Sequence, residues 1–323
     1  MRVLNPGGAG FIGRKLAQRL RARGELLGQR ITALTLFDVV AADGFEDPRV
    51  TVVAGDIGDA AVVERVVAPG FEVIVHLAAV VSAAAEADFD LGMRVNLDGT
   101  RHVLEAARRA GTCPRLVFAS SCAVYGGEMP EVITDTTPLT PQTSYGAQKA
   151  AGELLVADMG RRGFVDSCSL RLPTIVVRPG RPNKAASTFA SSIVREPLKG
   201  ETAVCPVPPA TAMYVLSPRK VVDAFVRAVE LPAAALGTNR TLLLPGITMT
   251  VGGTIEALER IAGRAVTARI RLEVDPVIER IVLGWPARFR AERAAALGFT
   301  ADESIEEIIR QHIDDELGGS WTA

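Results

Sequence analysis

Three glycines spaced by two residues, Gly7, Gly10 and Gly13, stand between a short apolar start (Val3, Leu4) and a helical pattern of Leu16, Ala17 and Leu20. This G-x-x-G-x-x-G turn, with Phe11 and Ile12 inside it, limits the chain to few folds. The first glycine permits a tight turn, the second lets backbone approach a pyrophosphate, and the third lets helix pack on strand. The helix behind it offers unpaired N–H groups and a partial positive charge to phosphates. A glycine run alone also fits an ordinary turn, so the rest of the chain must decide.

Apolar runs near 2–5, 31–37, 50–54, 73–77, 115–120 and 165–171 alternate with helical patterns near 11–23, 59–68, 88–110 and 145–162. The runs are continuous, which marks strands covered on both faces and hence a parallel sheet. The expected class is α/β, a Rossmann-type doubly wound parallel sheet with a smaller C-terminal substrate domain. Prolines gather after residue 172 (Pro173, Pro179, Pro182, Pro197, Pro206, Pro208, Pro209), so 173–323 reads mainly as that smaller domain. The dinucleotide-binding domain spans 1–172, with 211–231 returning to it. A helix is expected over 219–230, a strand over 241–244, and a tail helix that buries Ile305, Ile308, Ile309 and Ile313.

A net charge of −1 on 323 residues gives no field to recruit nucleic acid or an anionic membrane. No apolar run is long enough to span a bilayer, and the first strand begins too soon for a leader peptide. The cysteines (Cys113, Cys122, Cys168, Cys205) are scattered, and only three histidines could join them. That argues against a metal site or a disulfide framework and fits a cytoplasmic protein.

The second strand ends at Asp38, where an acid can accept hydrogen bonds from an adenosine ribose; a solvated turn acid is the plainer alternative. No arginine follows it, which favours NAD over its 2′-phosphorylated relative. Asp56 and Ile57, after strand three, are placed to flank adenine. Leu77, Ala78 and Ala79, after strand four, let backbone pass close to the cofactor. His76 reads as a packed, hydrogen-bonded histidine rather than a catalyst. Asn96, unhelpful inside a helix, points to a hydrogen-bonding duty that ties this helix to the active-site strand.

Strand five ends Ala119-Ser120-Ser121-Cys122, and Ser144-Tyr145-Gly146-Ala147-Gln148-Lys149 follows. Tyr145 and Lys149 are four apart and share a helix face. A nearby ammonium stabilises phenolate and lowers a tyrosine pKa, and a serine hydroxyl can hold the reacting oxygen beside it.

With these residues in this order, the chain resembles the extended short-chain dehydrogenases/reductases, the NAD-dependent epimerase/dehydratase family. The likeness runs from Gly7 to Leu297-Gly298-Phe299 and the closing helix. It implies Tyr145 as acid/base, Lys149 as pKa modulator and nicotinamide-ribose ligand, and Ser121 as the polarising hydroxyl. It carries over Gly7, Gly10, Gly13, Asp38, Asp56 and Ile57 as cofactor positions, and a homodimer as the assembly. Asn5-Pro6 departs from the family, because Pro6 lacks a donor and restricts Asn5; the fold should survive it.

The run from Arg171 to Ser187, with Gly284-Trp285-Pro286, resembles members of the family that oxidise the C2 hydroxyl of a four-carbon sugar acid, D-erythronate, with NAD. A carboxylate substrate needs a cationic clamp, for which Arg178, Arg181, Lys184, Arg195 and Arg219 are available. Asn183, Ser187 and Thr188 could meet hydroxyls, and Ser120, Ser121, Cys122 and Tyr145 stand at the substrate. Pro173 and Thr174 border the nicotinamide. The rival readings are a UDP-sugar 4-epimerase with bound NAD and a non-catalytic NAD-binding sensor.

Overall fold

The computed structural model describes residues 1–180 and 186–322. Its central sheet is built from β1 (Arg2–Pro6), β2 (Ala33–Asp38), β3 (Val50–Ala54), β4 (Val73–His76), β5 (Arg115–Ser121) and β6 (Asp166–Leu172). Alternate residues of each strand face opposite sides. Val3 therefore packs under helix α1 (Phe11–Arg23) with Leu16 and Leu20. Leu4 meets the other layer, where α2 (Ala60–Val67), α3 (Gly99–Ala110) and α4 (Ser144–Arg161) bury Val63, Leu104 and Val156. Both faces of the inner strands are dry, as the unbroken apolar runs require, whereas the edge strand β3 is half-buried; each fully buried side chain contributes about 1.5–3 kcal/mol by leaving water.

The chain then leaves the sheet and comes back. Short strand β7 (Thr174–Ile175) pairs parallel with β8 (Ala212–Leu216), which pairs antiparallel with β10 (Ile247–Thr250). Between β8 and β10 runs β9 (Thr241–Leu243), which joins the central sheet beside β6. The central order is β9-β6-β5-β4-β1-β2-β3, and every pairing is parallel. Helix α6 (Pro218–Glu230), entered through the Ser217 cap, covers the α1 face with Phe225 and Val229. Helices α5 (Phe189–Leu198), α7 (Val251–Ala262) and α8 (Ile305–Leu317) enclose a separate core of Ile193, Met249, Leu258, Ile309 and Ile313.

Two elements differ from the sequence pattern. The 88–110 stretch is not one helix: a short turn Phe89–Gly92 passes into a widened segment, Met93–Asp98, before α3. Asn96 sits in that segment with its amide turned to the backbone of Val80, a side-chain partner that competes with regular helix. Within 211–231, β8 belongs to the small sheet and α6 to the central one.

Candidate active site

The glycine-rich loop lies at the end of β1, where the central sheet reverses its strand order between β1 and β4. Such a switch point leaves a crevice at the strand ends. Gly7 has a φ of +90°, and a Cβ there would sit 2.5 Å from the amide nitrogen of Ala78. A Cβ on Gly13 would lie 2.1 Å from the Gly7 carbonyl. Those two glycines let loop and helix touch. Gly10 meets only its own loop, at 3.2 Å, and caps α1 without a side chain. The first-turn N–H groups of Phe11, Ile12 and Gly13 are thus left to an outside acceptor, which fits the pyrophosphate of a dinucleotide.

Pro6 costs the sheet little, because it is the last residue of β1. Its carbonyl accepts from Leu77 and Ala78, and the next N–H, that of Gly7, donates to Phe37. Asn5 is fully buried and donates from Nδ2 to the Gly13 carbonyl at 3.1 Å, so the unusual pair ties β1 to α1. Asp38 is half-buried at the tip of β2 and accepts from the N–H of Ala9 (3.0 Å) and of Val39 (2.7 Å). It is a fixed acid rather than a freely solvated one. Asp56 accepts from Gly58 and pairs with Arg94. Ile57 is buried against Gly99, directly beside Asp56. Ala79 is half-buried behind Ala78.

The catalytic group forms where β5 meets α4. Thr143 caps α4 by accepting from Gly146, worth about 1 kcal/mol, and fixes the first turn that carries Tyr145. The Ser121 hydroxyl, which also accepts from the N–H of Ala123, stands near enough to the Tyr145 phenol to favour its ionised form. Lys149, 2% exposed, donates from Nζ to the Ala119 carbonyl at 2.8 Å and lies 5.8 Å from the Tyr145 ring centre. Burial pushes the phenol up to about 12, opposed by the Ser121 hydroxyl and by the charge of Arg178. Burial likewise pulls the Lys149 ammonium down to about 7, opposed by Glu153. Arg178 thus joins Lys149 as a cation close to the phenol.

Ser120 corrects an expectation. It neighbours Ser121 on a strand and therefore faces the other side, where it is buried and donates to Glu153. Glu153 is held by Arg171 through Nε and Nη2, the latter at 2.7 Å, and Arg171 also donates to the Tyr125 hydroxyl at 2.7 Å. Cys122 opens a turn against the Arg171 carbonyl, and burial raises its thiol pKa. His76 is buried neutral against the Thr100 hydroxyl at 3.0 Å, consistent with a packing role. Asn96 accepts from Val80 N–H and donates to the Gln148 side chain, so it joins the loop after β4 to the catalytic helix.

At the substrate end, Arg178 donates to Ser187 Oγ at 3.2 Å, and no acid pairs with it among the described residues. Burial, and Arg195 after it, hold its pKa below the usual arginine value. Arg195 is not available: it is 2% exposed, paired with Glu196 and bonded to the Arg178 carbonyl. Arg219 is taken by Asp315 on α8. Pro173 is buried and Thr174 half-buried at the end of β6. Arg181, Asn183 and Lys184 lie outside the described residues. Glu153 and Arg171 were not picked out by motif, though Glu153 is four residues beyond Lys149 on the same face. An acid on a buried helix face was the available signal.

Among the described residues no cluster of His, Cys, Asp and Glu could hold a metal, and no helix is long and apolar enough to cross a membrane. Residues 4–238 match the model of the NAD dependent epimerase/dehydratase family. The chain is 54% identical over 319 residues to a D-erythronate dehydrogenase of Cupriavidus necator, covering 98% of each. It is 42% identical over 318 residues to one from Haemophilus influenzae, covering 98% of this chain and 100% of that one. It also overlays the crystal structure of a nucleoside-diphosphate-sugar epimerase from Agrobacterium tumefaciens with a TM-score of 0.95 at 47% identity, over 99% of this chain and 95% of the other.

Proposed function

The chain belongs to the NAD dependent epimerase/dehydratase family, and on that premise we propose that it oxidises the C2 hydroxyl of a small sugar acid, D-erythronate, to the 2-keto acid with NAD. It is an enzyme of the extended short-chain dehydrogenase/reductase type that uses a nicotinamide dinucleotide. The observation that carries the reading is Arg178, a half-buried guanidinium without an acid partner among the described residues, held by Ser187 and close enough for its charge to act on the phenol of Tyr145. A carboxylate would supply the missing counter-charge through a bidentate pair. Clamp and base are neighbours, so the reacting hydroxyl must sit close to the carboxylate. A 2-hydroxy acid meets that demand.

In this reading Arg178 grips the carboxylate, and Ser121 and Tyr145 hold the C2 oxygen. Tyr145 as phenolate takes the hydroxyl proton, and the charges of Arg178 and Lys149 favour that phenolate. The chemistry that a bound NAD would supply is that of a hydride acceptor for C2. The loop of Gly7, Gly10 and Gly13 and the acid Asp38 would orient the cofactor; Asp38 supports NAD over the 2′-phosphorylated form by like-charge repulsion.

The test is reduced-nicotinamide formation by the pure protein with D-erythronate, run with NAD and with NADP. Robust turnover with NAD is expected, and its absence would discard the substrate. The likeness to the Agrobacterium protein supports a second reading, a sugar-nucleotide epimerase. Epimerisation of a UDP-sugar without added cofactor would favour it.

A further inference from the structure

Beneath the catalytic pair lies a buried polar cluster that the reaction as proposed does not use. Glu153 is 3% exposed and belongs to α4, one helical turn beyond Lys149 and two beyond Tyr145. Its carboxylate is bonded by three groups of two neighbours: Ser120 Oγ from β5, and Nε and Nη2 of Arg171 from β6. Arg171 is pinned in turn by Tyr125. A buried charge of this kind costs several kcal/mol in desolvation unless each oxygen is satisfied, and here both are. Yet Glu153 and Lys149 form no direct ion pair, since Lys149 donates to Ala119 instead.

Among the described residues around Lys149, Glu153 is the source of negative charge. Tyr145 and Glu153 share its helix, His76 faces it from β4, and Phe118 with the Ala119 carbonyl faces it from β5. Arg171 is bonded to Glu153 on the side of the carboxylate cluster. Desolvation works against the ammonium, as it does for any buried lysine, and a fixed carboxylate nearby works for it.

We propose that Glu153 is a positioning residue for Lys149: clamped by Arg171 and Ser120, its buried carboxylate keeps Lys149 an ammonium beside Tyr145 and the cofactor ribose. A salt bridge that merely pinned β5 and β6 to α4 would leave the charge of Lys149 unmoved. The inference rests on the Ser121, Tyr145 and Lys149 reading above, and it can be tested without substrate.

The chain has five lysines, so a protein labelled at the lysine Cε carbons gives five signals to titrate by NMR. Lys149→Arg identifies the one that matters. Glu153→Gln is expected to lower the Lys149 midpoint by about one pH unit or more, and Glu153→Asp to bring it back toward the native value. An unmoved midpoint in folded Glu153→Gln, or one equally low in Glu153→Asp, would overturn the proposal. Should the lone Arg171 prevent Glu153→Gln from folding, Glu153→Gln combined with Arg171→Met removes both charges. There too a lowered midpoint supports the proposal and an unmoved one overturns it. Absence of turnover in the native protein would instead count against the substrate reading, so the two failures are distinct.

Discussion

The two ends of this site are built differently. At the sheet end, the glycine loop, β1 and the loop after β4 meet through backbone: Gly13 against the Gly7 carbonyl, Pro6 against Leu77 and Ala78. At the substrate end, Arg178 stands on a proline-bordered stretch after β7 and is steadied by the hydroxyls of Ser187 and Ser191. Backbone contacts fix geometry whatever the neighbouring side chains are. Side-chain contacts can be rewritten by one substitution. That difference lets one scaffold keep its redox chemistry while the acceptor of the substrate changes.

The sharpest way to break the contrast is Tyr145→Phe, which removes the phenol and leaves the backbone frame intact. Turnover should fall about 10³–10⁴-fold while NAD affinity, measured by fluorescence titration, stays within a few-fold. Comparable losses in both would mean that the base also builds the cofactor site. Next comes Arg178→Met, for which kcat/KM with the sugar acid should drop about 100-fold, mainly through KM, with NAD affinity unchanged. If kcat falls instead, Arg178 acts chiefly on the phenol.

Gly13→Ala probes the backbone end. Its Cβ would meet the Gly7 carbonyl at 2.1 Å, so the loop must move, at a cost of about 2–3 kcal/mol in urea unfolding and at least tenfold in NAD affinity. A pH dependence probes both cores. Burial holds His76 down to about 3, and burial with Lys199 and Arg195 holds His312 down to about 4, from an ordinary 6.5. With folded pKa values below the unfolded one, stability is full above pH 6.5 and falls on acidification toward 4. The slope is at most about 1.4 kcal/mol per pH unit for each histidine. Unfolding of His76→Gln and His312→Leu between pH 7 and 5 divides that loss between the central sheet and the smaller core.

Most of the sheet end was legible in the sequence, because its physics is local. A glycine spacing, an acid at a strand end and a tyrosine four residues before a lysine each announce a backbone geometry. The face of a residue was harder to read where one position decides it. Ser120 and Ser121 look alike in sequence, and the pleat turns one to Glu153 and the other to Tyr145. Glu153 and Arg171 are 18 positions apart and become partners only when β6 lies beside β5. At the substrate end every arginine looked equally available. Ion pairs with Glu196 and Asp315 removed Arg195 and Arg219 from contention, and such pairings are tertiary facts.

The seventh strand carries a consequence for how the molecule is made. β9 closes the sheet beside β6, but it emerges from the ribosome about seventy residues later. In the interval β6 is an open edge of hydrogen-bonding groups, and it bears Arg171, whose partner Glu153 is already in place. An unpaired edge is a template for a neighbouring chain. The newborn protein must therefore outrun its own aggregation until residue 243 arrives, and a chain cut short before that point would be expected to be found in inclusion bodies.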